Sequence, residues 1–139
     1  DNVISMWYSM KAVNDLKVAH EDQKGFVYDC VIRCRYDLQL DRPLDRRYVS
    51  YGGLCVPEGH DYRGGINDRF ALGPSRIIDV YSSLYDSFSS YARQGVLFHP
   101  ETMLKHHLEV NQIPVKRFAM GLKLVRGVSL NGQPMLWHM

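Results

Sequence analysis

Several familiar chemical signatures are missing from this chain. Its 139 residues hold no glycine-rich dinucleotide fingerprint, no phosphate-binding P-loop and no Gly-x-Ser-x-Gly elbow. Cysteine is scarce, with only Cys30, Cys34 and Cys55. An odd count argues against a complete disulfide framework and fits a reducing compartment such as the cytoplasm. In an extended segment Cys30 and Cys34 would lie about 13 Å apart, too far to bridge. They share a face with Ile32 and are expected to be buried apolar residues rather than metal ligands. Apolar runs are only a few residues long, which excludes a transmembrane helix. Net charge is just +2, and bases alternate with acids, so nucleic acid is not an expected partner. There is no internal repeat and no low-complexity segment.

What is present is an ordinary globular composition, 45% apolar and 23% charged, with nine tyrosines and two tryptophans. The length predicts one domain, residues 1–139. Apolar spacing predicts a helix over 3–22, with Val3, Trp7, Met10, Asn14 and Lys17 on one face, Ile4, Val13 and Leu16 beside it, and Gly25 as the stop. Residues 28–37 read as a strand, continuing extended through Leu40. A second strand is expected over 47–56, a loop over 59–65 and a short strand over 66–72. Ser75 is a good N-cap for an amphipathic helix carrying Ile77, Tyr81, Leu84, Phe88 and Tyr91, closed by Gly95. Pro100 and Glu101 suit the first turn of another helix, running to about Asn111. Residues 115–128 read as a hairpin broken near Gly121, and Asn131-Gly132 as a turn. Helices alternate with strands, so the expected class is α/β.

Three places could carry chemistry. Arg33, Arg35 and Asp37 share a face at the carboxyl end of a strand, where open α/β sheets bind ligands. Either that face is wet, or the guanidiniums answer an anion such as a diphosphate. Asp37 then pairs with them or holds a divalent cation. In Gly64-Gly65-Ile66-Asn67-Asp68 the glycines allow close backbone approach to a ligand. There Asn67 suits sugar hydroxyls and Asp68 can accept a proton; the alternative is a glycine turn with Asx capping. In His99-Pro100-Glu101, Glu101 either matches the helix dipole or is a carboxylate presented at a cleft. His106 and His107 face different ways and lack the spacing of a zinc pair.

In order, the segments are Ile4-Ser5-Met6-Trp7-Tyr8-Ser9, Tyr28-Asp29-Cys30-Val31-Ile32-Arg33-Cys34-Arg35-Tyr36-Asp37-Leu38, Gly65-Ile66-Asn67-Asp68-Arg69-Phe70-Ala71-Leu72-Gly73 and His99-Pro100-Glu101-Thr102-Met103-Leu104. Together they resemble the GT-A-fold glycosyltransferases of bacterial and viral polysaccharide synthesis, over roughly residues 3–126. The resemblance implies a Rossmann-like mixed sheet flanked by helices, with a nucleotide-sugar donor over the strand ends. It implies an Asp-x-Asp site for Mn2+ or Mg2+; here the motif reads Arg35-Tyr36-Asp37, with only the second carboxylate. Either Asp37 still holds the metal, or Arg33 and Arg35 neutralise the leaving diphosphate without one. By the same resemblance Gly64, Gly65 and Asn67 lie on the sugar and acceptor side, and Asp68 or Glu101 is the base. Against that fold's length, the chain is expected to be the diphosphate- and acceptor-side portion, its nucleoside-binding part lying outside.

The function implied is sugar transfer from a nucleotide-sugar to a hydroxyl of a glycan or lipid-linked glycan in surface polysaccharide (lipopolysaccharide) synthesis. Its expected place is the cytoplasm or the inner membrane face, as a peripheral protein. A catalytically silent carbohydrate- or nucleotide-binding module is the alternative, followed by a structural α/β interaction domain.

Overall fold

A computed structural model describes residues 2–128 and 134–137. The chain is α/β, with a mixed sheet flanked by helices. Helix α1 (Asn2–Lys24) is followed by strands β1 (Val31–Cys34) and β2 (Leu38–Leu40), helix α2 (Arg46–Val49) and strand β3 (Leu54–Pro57). A 3-10 turn (Tyr62–Gly64) leads to β4 (Phe70–Gly73) and α3 (Ser75–Tyr81). A second 3-10 turn (Leu84–Asp86), α4 (Phe88–Arg93), α5 (Pro100–Val110), β5 (Val115–Phe118), β6 (Leu122–Val128) and β7 (Pro134–Trp137) complete the order.

The main sheet runs β1-β4-β3-β5. Its β1–β4 and β4–β3 pairs are antiparallel, and β3–β5 is parallel. A smaller antiparallel sheet runs β2-β6-β7. Two apolar clusters cover the two faces of the main sheet. Trp7, Leu54, Val56, Ala71, Ile78, Tyr81, Leu104 and Leu108 pack between sheet and helices. Cys55, Phe70, Leu72, Phe118, Met120 and Leu122 pack towards the smaller sheet. β3 and β4 are buried on both faces, as their unbroken apolar runs require.

Gly25, at φ +72°, ends α1, and the N–H groups of Gly25 and Phe26 both donate to the Glu21 carbonyl. α1 is anchored to α3 by a polar cluster. The Ser75 hydroxyl donates to Glu21 (2.5 Å), and Lys17 reaches Asp79 (2.8 Å). Ser75 is therefore not the cap: Pro74 holds that position, and Ser75 is the first helical residue.

Several expectations are corrected. The run 28–37 forms a ladder only over Val31–Cys34, and its inward residues are Val31 and Arg33. Ile32 and Cys34 face outward, and only Cys55 among the cysteines is buried. The reason lies in Arg33, whose guanidinium is drawn inward to the Asp68 carbonyl and turns the other face of the strand out. Val13 and Leu16 of α1 are 67% and 73% exposed, because α1 buries only its Trp7 edge. Residues 46–49 are helical, since the Asp45 side chain caps the Arg47 N–H (2.8 Å). The helix expected after Ser75 breaks into α3, a 3-10 turn and α4, which lets Tyr81, Leu84 and Tyr91 all reach the core. β5 and β6 join different sheets and form no hairpin. The turn at Asn131-Gly132 lies outside the described residues.

The segment after the first 3-10 turn sits directly on the start of α5. The Ile66 N–H donates to the Glu101 carbonyl (3.0 Å), and Thr102 Oγ1 donates to the Arg63 carbonyl (3.0 Å). A Cβ on Gly65 would land on the Glu101 carbonyl group and the Thr102 nitrogen. Gly65→Ala is expected to cost about 3 kcal/mol in urea unfolding, since backbone cannot yield as a side chain can. A cost under about 0.5 kcal/mol would show that this contact tolerates a methyl group.

Candidate active site

The three sequence segments meet where β1 ends, β4 begins and α5 starts. The meeting is organised by Asp61. Its carboxylate takes both Arg117 Nη atoms (3.0 and 2.8 Å) and the Asn67 N–H (2.8 Å). Burial works against the Asp61 charge, yet Arg117 and the Asn67 N–H hold its pKa below the ordinary value. Arg117 in turn donates to the carbonyls of Val56 and Pro57 at the end of β3. Asn67 is fully buried, and its Oδ1 accepts the Arg69 N–H (2.9 Å). Its side chain thus shapes the turn that presents Asp68, and it is not free for a sugar hydroxyl. Gly64 supplies the positive φ of that turn, +69°, and Gly65 the close packing on α5.

Asp68 and Glu101 are brought together. Glu101 is 8% exposed, and its pKa is pushed up to about 7, first by burial and then by the nearby Asp68 charge. Arg69 opposes that push. His99 Nδ1 lies 3.1 Å from Glu101 Oε2 but is not aligned as a hydrogen bond. Asp68 is half-buried. Among the described residues its carboxylate accepts no hydrogen bond and forms no ion pair, while its backbone carbonyl accepts Arg33 Nη1. Tyr81 Oη is wholly buried close by; burial raises its pKa to about 12, against the opposing pull of the Arg33 guanidinium beside it.

Arg35 and Asp37 form a bidentate pair (2.8 and 2.8 Å), and Arg126 Nε approaches the same carboxylate at 3.4 Å. The Arg35 guanidinium is the main reason the Asp37 pKa lies below its usual value. Both Asp37 oxygens are therefore held by guanidinium. A divalent cation there would displace a fork and face two positive groups, so these residues as arranged do not fit Mn2+ or Mg2+. No group of three or more His, Cys, Asp or Glu suited to a metal occurs among the described residues. Arg33, Arg35 and Arg126 open onto a cavity of about 740 Å³ between α1 and β1, with Pro100 of α5 in its wall.

Sequence reasoning thus found Arg33, Arg35, Asp37, Asp68 and Glu101, which cluster, and Gly64, Gly65 and Asn67, which build the loop beneath them. It missed Asp61, Arg69, Tyr81, Arg117 and Arg126. Asp61 lay within the segment read as a loop, Tyr81 was marked only as an apolar position of a helix, and no local pattern marked the others.

This geometry defines a mixed α/β domain with an arginine-lined cavity beside β1 and two neighbouring carboxyl groups, Asp68 and Glu101, where β4 begins and α5 starts. The chain belongs to the family described as Domain of unknown function (DUF7796), whose pattern matches residues 10–130. No curated protein matches it. No helix among the described residues is long and apolar enough to cross a membrane.

The raised Glu101 pKa has a definite sign for stability. A carboxyl whose folded pKa lies near 7, above its unfolded value near 4.5, favours the native state while protonated. That contribution is whole below about pH 4.5 and is lost as pH rises through 7. Unfolding free energy should fall between pH 5 and pH 8 by on the order of 2 kcal/mol more in the native protein than in Glu101→Gln. Equal pH slopes in denaturant titrations of the two proteins would place the Glu101 pKa near its unfolded value.

Proposed function

We propose that this domain transfers a sugar from a nucleotide-sugar to a hydroxyl of a glycan or lipid-linked glycan, without a metal. The observation that carries the reading is that three separate segments bring Arg33, Asp68 and Glu101 together, Arg33 on the Asp68 carbonyl and the Asp68 charge acting on Glu101. Guanidiniums match the charge that develops on a departing diphosphate, and a carboxyl titrating near neutrality suits the deprotonation of a hydroxyl. Arg33 and Arg35 take the diphosphate oxygens. The acceptor oxygen bonds to the anomeric carbon as the bond to the diphosphate breaks, and its proton passes to the Glu101 carboxylate. Burial, and after it the Asp68 charge, keeps the Glu101 pKa high enough to hold that proton. Asp37 fixes the Arg35 fork and so positions it. Work on cytoplasmic donors, at the inner face of a membrane for lipid-linked acceptors, fits this chemistry.

A second reading, a binding module without turnover, is favoured by the locked Arg35–Asp37 pair. Turnover separates the two: nucleotide-sugar binding with no transfer across a broad acceptor set supports the module.

Glu101→Gln should lower kcat by about 10²–10⁴-fold with the fold intact. Asp68→Asn should keep activity but move the rising limb of the pH profile to lower pH, because a negative neighbour of Glu101 is gone. An inactive Asp68→Asn beside an active Glu101→Gln would transfer the base to Asp68.

Asp37→Asn should abolish donor turnover, because an amide cannot hold the Arg35 fork. Circular dichroism should show the fold retained. Normal activity in that variant would remove Asp37 from the mechanism.

A further inference from the structure

The outer side of β1 is an unfinished part of the sheet. β1 ends the order β1-β4-β3-β5, and among the described residues no strand pairs with its far side. The Arg35 N–H donates inward to the Arg69 carbonyl (3.3 Å), so by ladder alternation the N–H groups of Ile32 and Cys34 point outward. Exposed edges of this kind are templates for another chain.

α1 does not close that edge. It rests on α3 and on the 3-10 turn Leu84–Asp86, and a cavity of about 740 Å³ remains between it and β1. Every residue from 31 to 36 lines this cavity, which means that it runs along the strand edge rather than over one face. Its opposite wall is a stripe of α1 at helical spacing, from Val3 and Met6 to Met10 and Val13. The walls are mostly apolar. Among the described residues the charged side chains that line them are Lys17, Arg33, Arg35 and Arg126, with no acid. Lys17 is neutralised by Asp79 and Glu21, whereas at the other end Arg35 and Arg126 share the single carboxylate of Asp37 and Arg33 meets a neutral carbonyl, which leaves net positive charge there.

We propose that this groove binds an extended segment of a partner polypeptide as an added strand on β1. The segment has alternate apolar residues facing α1 and an acidic residue at the arginine end. Unpaired ladder groups supply affinity in this mode, and the apolar wall and the arginines supply selectivity. The proposal does not rest on the glycosyl-transfer reading.

The test uses a fluorescein-labelled hexapeptide, Glu-Thr-Val-Thr-Val-Thr, whose glutamate shares a face with its valines, with the intact chain. Anisotropy should show saturable binding. N-methylation of one alternate set of peptide amides should weaken it at least tenfold, and methylation of the other set should not. Replacing the peptide glutamate by glutamine should also weaken it. Alkylation of the exposed Cys34 should slow at least tenfold in the complex, with Cys55, which is buried, as internal reference. Ile32→Pro removes an outward donor and should abolish binding; the methylated peptides keep the test valid if that variant does not fold. Absence of peptide binding, or equal effects of both methylated sets, would overturn the proposal. So would a dimer of the chain that Ile32→Pro dissolves while the peptide stays unbound, or Cys34 protection by dodecyl phosphate alone.

Discussion

The seating of Gly65 on the first turn of α5 is the constraint on which the rest of the site depends. Backbone meets backbone there, with no side chain between, and the Ile66 N–H closes the contact on the Glu101 carbonyl. Two elements 36 positions apart are thereby locked at van der Waals distance. Everything that follows Gly65 inherits the placement. Asn67 is buried beneath, Asp68 emerges half-buried near Glu101, and Arg69 leads into the strand that pairs with β1. Because Glu101 is both the acceptor of that hydrogen bond and the bearer of the shifted carboxyl, the packing and the electrostatics cannot be separated.

The charges around this seat are arranged in unequal compartments. On one side Asp61 is satisfied by Arg117 and the Asn67 N–H, and its carboxylate is stabilised as an anion. On the other, Asp37 is satisfied by Arg35 and Arg126. Between them stand Asp68 and Glu101, with no guanidinium fork on either carboxylate among the described residues. Two carboxyl groups near each other and partly removed from water resist simultaneous ionisation, so one of them retains its proton towards neutral pH. The flanking pairs matter because they leave the arginines at Asp61 and Asp37 occupied. A free fork reaching Glu101 would pull its pKa back down.

The parts of this arrangement that the sequence made legible are those with local causes. Pro100 at the first turn of α5, Gly25 and Gly95 at helix ends, and the apolar runs of β3 and β4 are each set by neighbours in the chain. The face of β1 was misjudged because alternation says that two faces differ but not which is inside. Arg33 looked like a surface residue by type; a carbonyl 35 positions away turns it inward. The single long helix expected after Ser75 failed for a related reason. Its apolar spacing is real, but the core takes Tyr81, Leu84 and Tyr91 from a bent path that a straight helix would not follow. Arg117 and Arg126 carry no local mark at all, since their roles exist only once β5 and β6 lie beside the loops they hold.

The pairing of Asp37 bears on how a strand-end site can handle an anion. A carboxylate that presents a metal must keep its lone pairs outward. Here they point into two guanidiniums, so the local charge at the end of β1 is already positive without a cation. Arg33 adds to it, because its partner is a neutral carbonyl that does not cancel its charge. The end of β1 thus carries the sign that a metal would otherwise bring, delivered by groups whose planar forks match paired oxygens. Such a site differs from a metal site in one physical respect. Its charge is fixed by the chain and cannot be removed by chelation, so its strength is governed by how firmly each fork is held, and for Arg35 the hold is Asp37.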